Sequence, residues 1–231
     1  MSCVAVITAR GGSKRIPRKN IKDFCGKPVI AYPIMACLES GIFDEVMVST
    51  DDVQIAEISK KYGASVPFMR SEENSNDYKN STDAVLEVLD EYAKRGKHFD
   101  AVAMIYPTAP FLSAEKLRVA FEKMQNAAAD SLIPVVKFDY PPQRGYVIEN
   151  EKLKFLYPEY KFTRSQDLEP MYHDIGQFYF AKTDAFVKYK TVITENIATV
   201  IMSEEEVQDI DNESDWKLAE IKYRHFILKE I

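Results

Sequence analysis

The sequence has 231 residues, of which 46% are hydrophobic and 29% are charged, and its formal net charge is −6. This length and composition predict a single globular domain, and the acidic balance excludes a general nucleic-acid binder, which carries a basic face. The N-terminus lacks a basic n-region and no stretch approaches the roughly 18 apolar residues of a membrane span, so we expect neither a signal peptide nor a membrane protein.

Cysteine and histidine usage excludes two further classes. Cys3, Cys25 and Cys37 are odd in number and have no CxxC spacing, and the three histidines have no HExxH spacing. The sequence therefore predicts neither a disulfide framework nor a histidine-ligated zinc site. Scattered thiols suit a reducing compartment, so we expect a cytoplasmic protein.

Strands and helices are predicted to alternate along most of the chain. In order, the patterns indicate a buried strand at 4–7, a helix over 30–38 ending at Gly41, a strand at 45–50, a helix over 52–62 ending at Gly63, a helix capped by Asn80 with Asp83, a strand at 100–105, a helix opened by Ser113 and a strand at 132–136. Strands at 177–181 and 199–202 follow, and Ser214 is the predicted cap of a closing helix that carries Trp216. This alternation is typical of an α/β fold with a doubly wound, mostly parallel sheet.

The alternation is interrupted between residues 138 and 174. Prolines at 141, 142, 158 and 170 break up aromatic and charged residues there. We interpret this segment, called the lobe below, as a small dimerisation insertion within one domain spanning 1–231.

The loop after the first strand concentrates positive charge. No Asp or Glu precedes Asp23, whereas six cations do: Arg10, Lys14, Arg15, Arg18, Lys19 and Lys22. A loop in this place lies at the carboxyl edge of an open α/β sheet, where such folds bind ligands. Gly11 and Gly12 would let backbone amides approach a polyphosphate, and the cations would contact its oxygens. The pattern matches neither a P-loop nor a dinucleotide fingerprint, and the alternative is a solvated basic loop. Residues 9–20 are called the basic loop below.

Residues 9–28, ARGGSKRIPRKNIKDFCGKP, resemble the opening motif of the CMP-sugar-acid synthetases, cytidylyltransferases that activate nine-carbon sugar acids with CTP. The resemblance continues over nearly the whole chain, through STDD at 49–52, Arg70, Asp77 with Ser81, YPTAP at 106–110 and DID at 209–211. It implies a Rossmann-like nucleotidyltransferase fold, a homodimer, and CTP and a nine-carbon sugar acid as substrates. It also implies a set of nucleotide-binding residues: Arg10, Gly11, Gly12, Ser13, Lys14, Lys19, Asn20, Arg70, Asn80 and Ser81.

Departures from the sialic acid members of that family fall on positions that would face the sugar. Those members commonly read Gln-Pro-Thr-Ser-Pro where this chain has YPTAP, and they place an Arg near His173 and an Asn near Ile175. Residues 135–144 and 172–179 look instead like those of pseudaminic acid cytidylyltransferases. Pseudaminic acid is therefore the expected sugar, with sialic or legionaminic acid as alternatives. The candidate sugar-binding residues are Tyr106, Arg144, Asp174 and Gln177, and Arg164 competes with Arg144 for the sugar carboxylate.

The acidic segment, residues 204–215, contains seven Asp and Glu residues, most of which are expected to be solvated. Asp209 and Asp211 differ because an i, i+2 spacing on an extended segment places both carboxylates on one face, and Mg²⁺ binds paired carboxylates together with phosphate oxygens. The resemblance assigns the Mg²⁺ site to these two residues and implies that Arg10, Lys19, Asp209 and Asp211 are catalytic. The base that deprotonates the attacking hydroxyl is open between Asp209 and a hydroxide on the metal. A CTP-binding protein without turnover is the alternative from another functional class.

Overall fold

The chain alternates strands and helices up to residue 137 and then departs from that pattern. The computed structural model describes residues 1–76 and 78–230. The strands are β1 Cys3–Thr8, β2 Asp23–Phe24, β3 Lys27–Pro28, β4 Glu45–Ser49, β5 Ala101–Ile105, β6 Ser131–Lys137, β7 Tyr146–Glu149, β8 Lys152–Phe155, β9 Tyr172–Asp174, β10 Phe178–Lys182 and β11 Ile197–Met202. The helices are α1 Ala31–Ser40, α2 Val53–Lys61, α3 Ser81–Lys94, α4 Ala114–Asn126, α5 Thr183–Tyr189 and α6 Glu213–Lys222. Within the described residues, none of these helices is both long and apolar enough to cross a membrane.

The central sheet has seven strands in the order β11-β6-β10-β5-β1-β4, with β9 paired to the end of β6. Strands β4, β1, β5, β6 and β11 run in one direction, whereas β10 and β9 run against their neighbours. The predicted mostly parallel α/β sheet is thus confirmed. The chain crosses from β1 to β4 on one side and then returns to β5 on the other, so the carboxyl ends of β1 and β5 border the crevice where such a sheet binds ligands.

Helices cover both faces of this sheet because β1 is buried on both sides. Its alternate residues Cys3, Ala5 and Ile7 pack in one core cluster with α1 and α4. The intervening residues Val4 and Val6 pack in a second cluster with α3 and α5. A period of two directs successive side chains to opposite faces, and the fold is therefore doubly wound, as predicted.

The ends of the helices follow their capping residues, with one correction. Asn80 and Asp83 form the predicted capping box, and the Ser113 hydroxyl accepts from the backbone N–H of Lys116 at 3.3 Å. The prediction of Ser214 as a cap is wrong. Asn212 caps α6, because its side-chain oxygen accepts from the N–H groups of Ser214 and Asp215 while the Asp215 carboxylate accepts from the Asn212 N–H.

The lobe contains a separate β7–β8 hairpin before β9 returns the chain to the main sheet. Its turn residues Asn150 and Glu151 have φ values of 50° and 63°, as a tight hairpin turn requires. Ile148 and Leu153 lie opposite each other on one face, with 75% and 70% of their surface exposed. The hairpin therefore presents an apolar face that this chain leaves uncovered.

A third core cluster lies beside the sheet and joins the two termini of the domain. It contains Ile16 of the basic loop, Phe24 of β2, Ile210 of the acidic segment and Trp216 of α6. The rings of Phe24 and Trp216 meet edge to face, with centroids 5.6 Å apart. Burial of these apolar side chains brings the basic loop and the acidic segment together across 190 residues of sequence, as the contact between Lys19 and Ile210 at 2.8 Å also shows.

Candidate active site

A cavity of about 570 Å³ opens at the carboxyl ends of β1 and β5. Most of the predicted site residues line it: Arg10, Ser13, Lys14, Lys19, Asn20, Arg70, Asn80, Ser81, Tyr106, Asp209 and Asp211. The crevice at the carboxyl edge thus collects residues from widely separated parts of the sequence. Its walls are basic on the side of the basic loop and acidic on the side of the acidic segment.

The basic loop keeps its shape because its own residues anchor it. Ile16 is 1% exposed in the third core cluster, and the Asn20 side-chain amide donates to the Arg10 carbonyl oxygen at 2.8 Å. These anchors leave Arg10, Lys14, Arg15 and Lys19 on the cavity wall. The geometry therefore gathers cations where a polyphosphate could be bound.

Two cations of this region point elsewhere. The Arg18 guanidinium pairs with Asp52 and donates to the Gln54 side-chain oxygen at 2.7 Å. The Lys22 ammonium pairs with Glu213 at 2.7 Å and lies 4.6 Å from the centre of the Trp216 ring. Both contacts fasten the loop to its neighbours, and neither side chain lines the cavity.

The two glycines occupy different environments. The Gly11 N–H donates to Asp51 Oδ1 at 2.8 Å, and a Cβ at this position would lie 2.9 Å from Asp52 Oδ2. A Cβ on Gly12 would meet no atom within 4 Å. In this structure Gly11 permits close packing of the basic loop on the STDD segment, and its amide is engaged there. The predicted contact of the Gly11 and Gly12 amides with a nucleotide stays a prediction.

The two carboxylates of the acidic segment face the basic loop. Ile210 is 1% exposed, so Asp209 and Asp211 on either side of it both point into the cavity, as an extended segment dictates. Lys19 Nζ donates to the Ile210 carbonyl at 2.8 Å and lies 3.8 Å from Asp211 Oδ1. Burial lowers the pKa of Lys19 below its ordinary value, and the charge of Asp211 opposes that effect.

Paired carboxylates beside a basic wall fit a magnesium ion that also binds phosphate. Mg²⁺ uses one or two protein carboxylates and completes its shell with waters and substrate phosphates. Among the described residues no group of three or more His, Cys, Asp or Glu side chains could hold a metal by itself. The donor set of Asp209 and Asp211 is therefore suited to a metal that arrives with a polyphosphate and not to a fully protein-ligated ion.

The cavity wall also contains the residues that the family resemblance assigns to cytosine and ribose: Arg70, Asn80 and Ser81. Arg70 is 9% exposed and donates through Nε to Ser49 Oγ at 2.9 Å and through Nη2 to the Ser49 carbonyl at 2.7 Å. Burial lowers its pKa, and the nearby Asp51 opposes the shift. The Ser81 hydroxyl accepts from Thr8 Oγ1 at 3.3 Å, and the Asn80 side-chain oxygen is engaged as the cap of α3. Asp77, part of the same motif, lies outside the described residues.

The predicted sugar residues are dispersed. Tyr106 lines the cavity, and its ring meets that of Tyr179 edge to face with centroids 5.9 Å apart. Asp174 is exposed and accepts from the Tyr179 hydroxyl at 2.8 Å. Gln177 is 2% exposed, and its side-chain amide donates to the Glu206 carbonyl at 2.9 Å. Neither Asp174 nor Gln177 lines the cavity, and Gln177 instead supports the acidic segment.

Both candidate arginines for the sugar carboxylate are in the lobe. Arg144 is exposed and donates to the Ser165 hydroxyl at 3.2 Å, and Arg164 pairs with Asp167 at 2.7 Å. Neither arginine lines the cavity of this chain.

The cavity is also lined by residues outside the predicted sets of nucleotide- and sugar-binding residues: Thr8, Arg15, Lys79, Thr108 and Gly176. Thr8 is the last residue of β1, and Thr108 follows the end of β5. Residues at the carboxyl ends of parallel strands are expected to line a ligand site, so the predicted topology could have indicated both. Gly176, with φ of 62°, lies in the turn before the antiparallel strand β10. No local sequence pattern indicated that this turn lies near the end of β1.

A larger cavity of about 850 Å³ lies at the opposite, amino edge of the sheet. Two of its carboxylates are engaged, since Asp130 pairs with Lys182 at 2.9 Å and Asp100 accepts from the Ser2 backbone N–H at 2.7 Å. This cavity has no basic loop or paired carboxylates on its wall. The smaller cavity is therefore the candidate active site.

The profile of the cytidylyltransferase family matches residues 4–212, which include every wall of that cavity. The chain belongs to the cytidylyltransferase family. Membership indicates a nucleotidyltransferase, and the matched range spans both the basic loop and the Asp209–Asp211 pair.

The curated relatives of this cytidylyltransferase have names that specify different sugar acids. The chain is 40% identical over 225 residues to pseudaminic acid cytidylyltransferase of Campylobacter jejuni, with 97% of each chain covered. It is 34% identical to CMP-N,N'-diacetyllegionaminic acid synthase of Legionella pneumophila, with 95% of each covered. It is 33% identical to N-acylneuraminate cytidylyltransferase A of Danio rerio, covering 96% of this chain and 51% of that one.

Solved structures share the fold. CMP:2-keto-3-deoxy-manno-octonic acid synthetase in complex with CTP superposes with a TM-score of 0.72 at 18% identity and covers 96% of this chain and 98% of that one. The 4-diphosphocytidyl-2C-methyl-D-erythritol synthase of Anaerococcus prevotii superposes with a TM-score of 0.68 at 15% identity, covering 96% of each. At these identities the likeness concerns the fold alone.

Proposed function

We propose that this cytidylyltransferase transfers the CMP group of CTP to the anomeric hydroxyl of a nine-carbon sugar acid and releases pyrophosphate. The observation that carries the proposal is the juxtaposition of the basic loop and the Asp209–Asp211 pair across one cavity. Cations on one wall and carboxylates on the other suit a triphosphate together with its divalent metal. A protein that only bound CTP would have less need of the carboxylate pair.

The chain's own residues would act by positioning and by neutralising charge. Arg10, Lys14 and Lys19 would bind the phosphates, while Arg70 and Ser81 would orient the cytosine and ribose, so that the sugar hydroxyl attacks the α-phosphorus in line. No covalent enzyme intermediate is needed. Mg²⁺, held by Asp209 and Asp211 and by phosphate oxygens, would supply charge stabilisation to the departing pyrophosphate. Among the protein groups, the Asp209 carboxylate is the proposed base that accepts the proton of the sugar hydroxyl.

Pseudaminic acid is the proposed sugar. The support is the 40% identity to the pseudaminic acid cytidylyltransferase of Campylobacter jejuni, against 34% and 33% to the legionaminic acid and N-acylneuraminate enzymes. The YPTAP segment supports the same choice, because Tyr106 stands on the cavity wall where sialic acid members commonly carry Gln.

We further propose that the protein works as a homodimer in the cytoplasm. The apolar face of the β7–β8 hairpin, with Tyr146, Ile148 and Leu153 exposed, supports a second copy as the covering partner. The three free thiols support a reducing compartment.

The test is pyrophosphate release from CTP and Mg²⁺ with pseudaminic, legionaminic and N-acetylneuraminic acids offered separately. We expect turnover with CTP in preference to UTP, ATP and GTP, the highest kcat/KM with pseudaminic acid, and a CMP-sugar detected by mass. Preference for another acid would change the sugar and keep the reaction. Absence of pyrophosphate release with all of them, when CTP binding is demonstrated by calorimetry, would contradict the enzymatic proposal.

A further inference from the structure

The Asp211 carboxylate is occupied on both oxygens by cations of the basic loop. Arg15 Nη1 lies 2.7 Å from Oδ2, and Lys19 Nζ lies 3.8 Å from Oδ1. Asp211 is also one of the two residues proposed to hold the metal. Its position therefore raises the question of how a divalent cation reaches a carboxylate that is already paired.

The two cations are held very differently. The Lys19 side chain is 19% exposed and is fixed by its hydrogen bond to the Ile210 carbonyl. The Arg15 side chain is 68% exposed and ends a flexible stem. Exposed ion pairs contribute little to stability in proteins generally, so Arg15 can leave Asp211 readily whereas Lys19 stays.

A divalent cation on Asp211 would lie next to the Arg15 guanidinium if Arg15 kept its present position. Two like charges a few ångströms apart repel each other strongly, and this repulsion would oppose binding of a free metal ion. A triphosphate removes the conflict, since its oxygens can accept the guanidinium and share the metal. Arg15 already lines the same cavity wall as Lys14 and Lys19, so the exchange requires rotation of one side chain only.

We propose that Arg15 is a positioning residue that competes with a free divalent cation for Asp211 and transfers to the triphosphate when the nucleotide arrives with its metal. The metal then binds more tightly together with CTP than before it. This inference rests on the proposed metal role of Asp211. It adds that Arg15, which touches the carboxylate in the structure, sets the order in which metal and nucleotide are bound.

Binding of Mn²⁺ to the full-length protein without nucleotide tests the proposal, measured by electron paramagnetic resonance of the free ion. We expect weak binding to the wild type and about five- to tenfold tighter binding to Arg15→Gln, because one ion pair and one repulsive charge are removed. Arg15→Lys, which keeps the charge, should bind Mn²⁺ as weakly as the wild type. The gain should disappear in the Arg15→Gln/Asp211→Asn double variant.

Arg18→Gln is the matched control, since it removes the same charge from the same loop but from a residue paired with Asp52. Its Mn²⁺ affinity should stay within about twofold of the wild type, because screening weakens the effect of distant exposed charges. A gain equal to that of Arg15→Gln would overturn the proposal, as would an Arg15→Gln affinity unchanged from the wild type.

The metal assignment itself is tested separately by Asp211→Asn with CTP present. If that variant binds Mn²⁺ and CTP jointly as tightly as the wild type, the metal role of Asp211 in the proposed function fails. If it loses joint binding while Arg15→Gln shows no gain without nucleotide, the metal site stands and only the role of Arg15 is wrong.

Discussion

The basic loop and the lobe are both long connections between strands. The basic loop is packed against other parts of the chain, whereas the lobe leaves large apolar side chains exposed. Ile16 and Asn20 bury parts of the loop, and the loop's cations meet the carboxylates of the acidic segment. The lobe leaves Ile148, Leu153 and Phe162 at least 70% exposed. The difference teaches that one chain builds the cavity wall proposed to bind the nucleotide, whereas the apolar face of the lobe is the kind of exposed patch that marks an interaction site.

The largest effect is expected on the nucleotide side. Lys19→Ala removes a buried cation that joins the basic loop to Ile210, and we expect kcat/KM for CTP to fall about 10²- to 10³-fold, the size seen when one charge-stabilising donor is lost. KM for the sugar acid should change less than about threefold, since Lys19 is assigned to the phosphates.

Lys22→Ala is the control for that variant. It removes a lysine from the same segment, but the Lys22 ammonium pairs with Glu213 over Trp216 outside the cavity. Steady-state kinetics should place it near the wild type. If Lys19→Ala raised KM for the sugar acid as much as KM for CTP, the phosphate role of that lysine would be contradicted.

The second prediction concerns the lobe. Ile148→Asp places a charge on the apolar hairpin face, and if a second copy covers that face the dissociation constant of the dimer should rise about 100-fold or more, because the charge would be buried without a partner. Lys152→Asp, on the other face of the hairpin, should leave it nearly unchanged. Sedimentation velocity over a range of concentrations measures both.

The third prediction concerns CTP binding by the Ile148→Asp variant. Because the basic loop and the Asp209–Asp211 pair meet across the cavity within one chain, we expect CTP affinity measured by calorimetry to be the same in Ile148→Asp and the wild type. A parallel loss of CTP binding on dissociation would show that the nucleotide side also depends on a partner.

The smallest effect separates the two glycines. Gly11→Ala would force a Cβ against the Asp52 side chain at 2.9 Å, and we expect a loss of about 1–3 kcal/mol in the free energy of unfolding, with a few-fold rise in KM for CTP. Gly12→Ala meets no atom within 4 Å and should unfold with a free energy close to that of the wild type. Urea denaturation of both variants decides whether packing on Asp52 is the reason for the glycine.

Local patterns predicted what depends on neighbours in sequence. The strand at 4–7 and the caps at Asn80 and Ser113 were found because burial periodicity and capping bonds act over a few residues. Ser214 was misassigned because Asn212 and Ser214 are both residues that can cap a helix. The reciprocal hydrogen bonds between Asn212 and Asp215 make Asn212 the cap of α6.

The sugar side shows where sequence reasoning ends. Gln177 is a candidate for the sugar because it lies in the 172–179 segment, where the chain departs from the sialic acid members, and in the structure its buried amide donates to the Glu206 carbonyl. Arg144 and Arg164 could not be separated, since the position of a lobe residue relative to the cavity depends on long-range packing and not on local spacing. Arg15 gained its significance only from the carboxylate it meets.

The sequence by itself determined the alternation of strands and helices, the family resemblance, and the polarisation of charge that the net value of −6 conceals. Only the tertiary structure decided that the basic beginning and the acidic end of the chain face each other. The physical reason is the shared burial of Ile16, Phe24, Ile210 and Trp216 in one cluster, which is favourable because it removes apolar surface from water and has no signature in either segment alone.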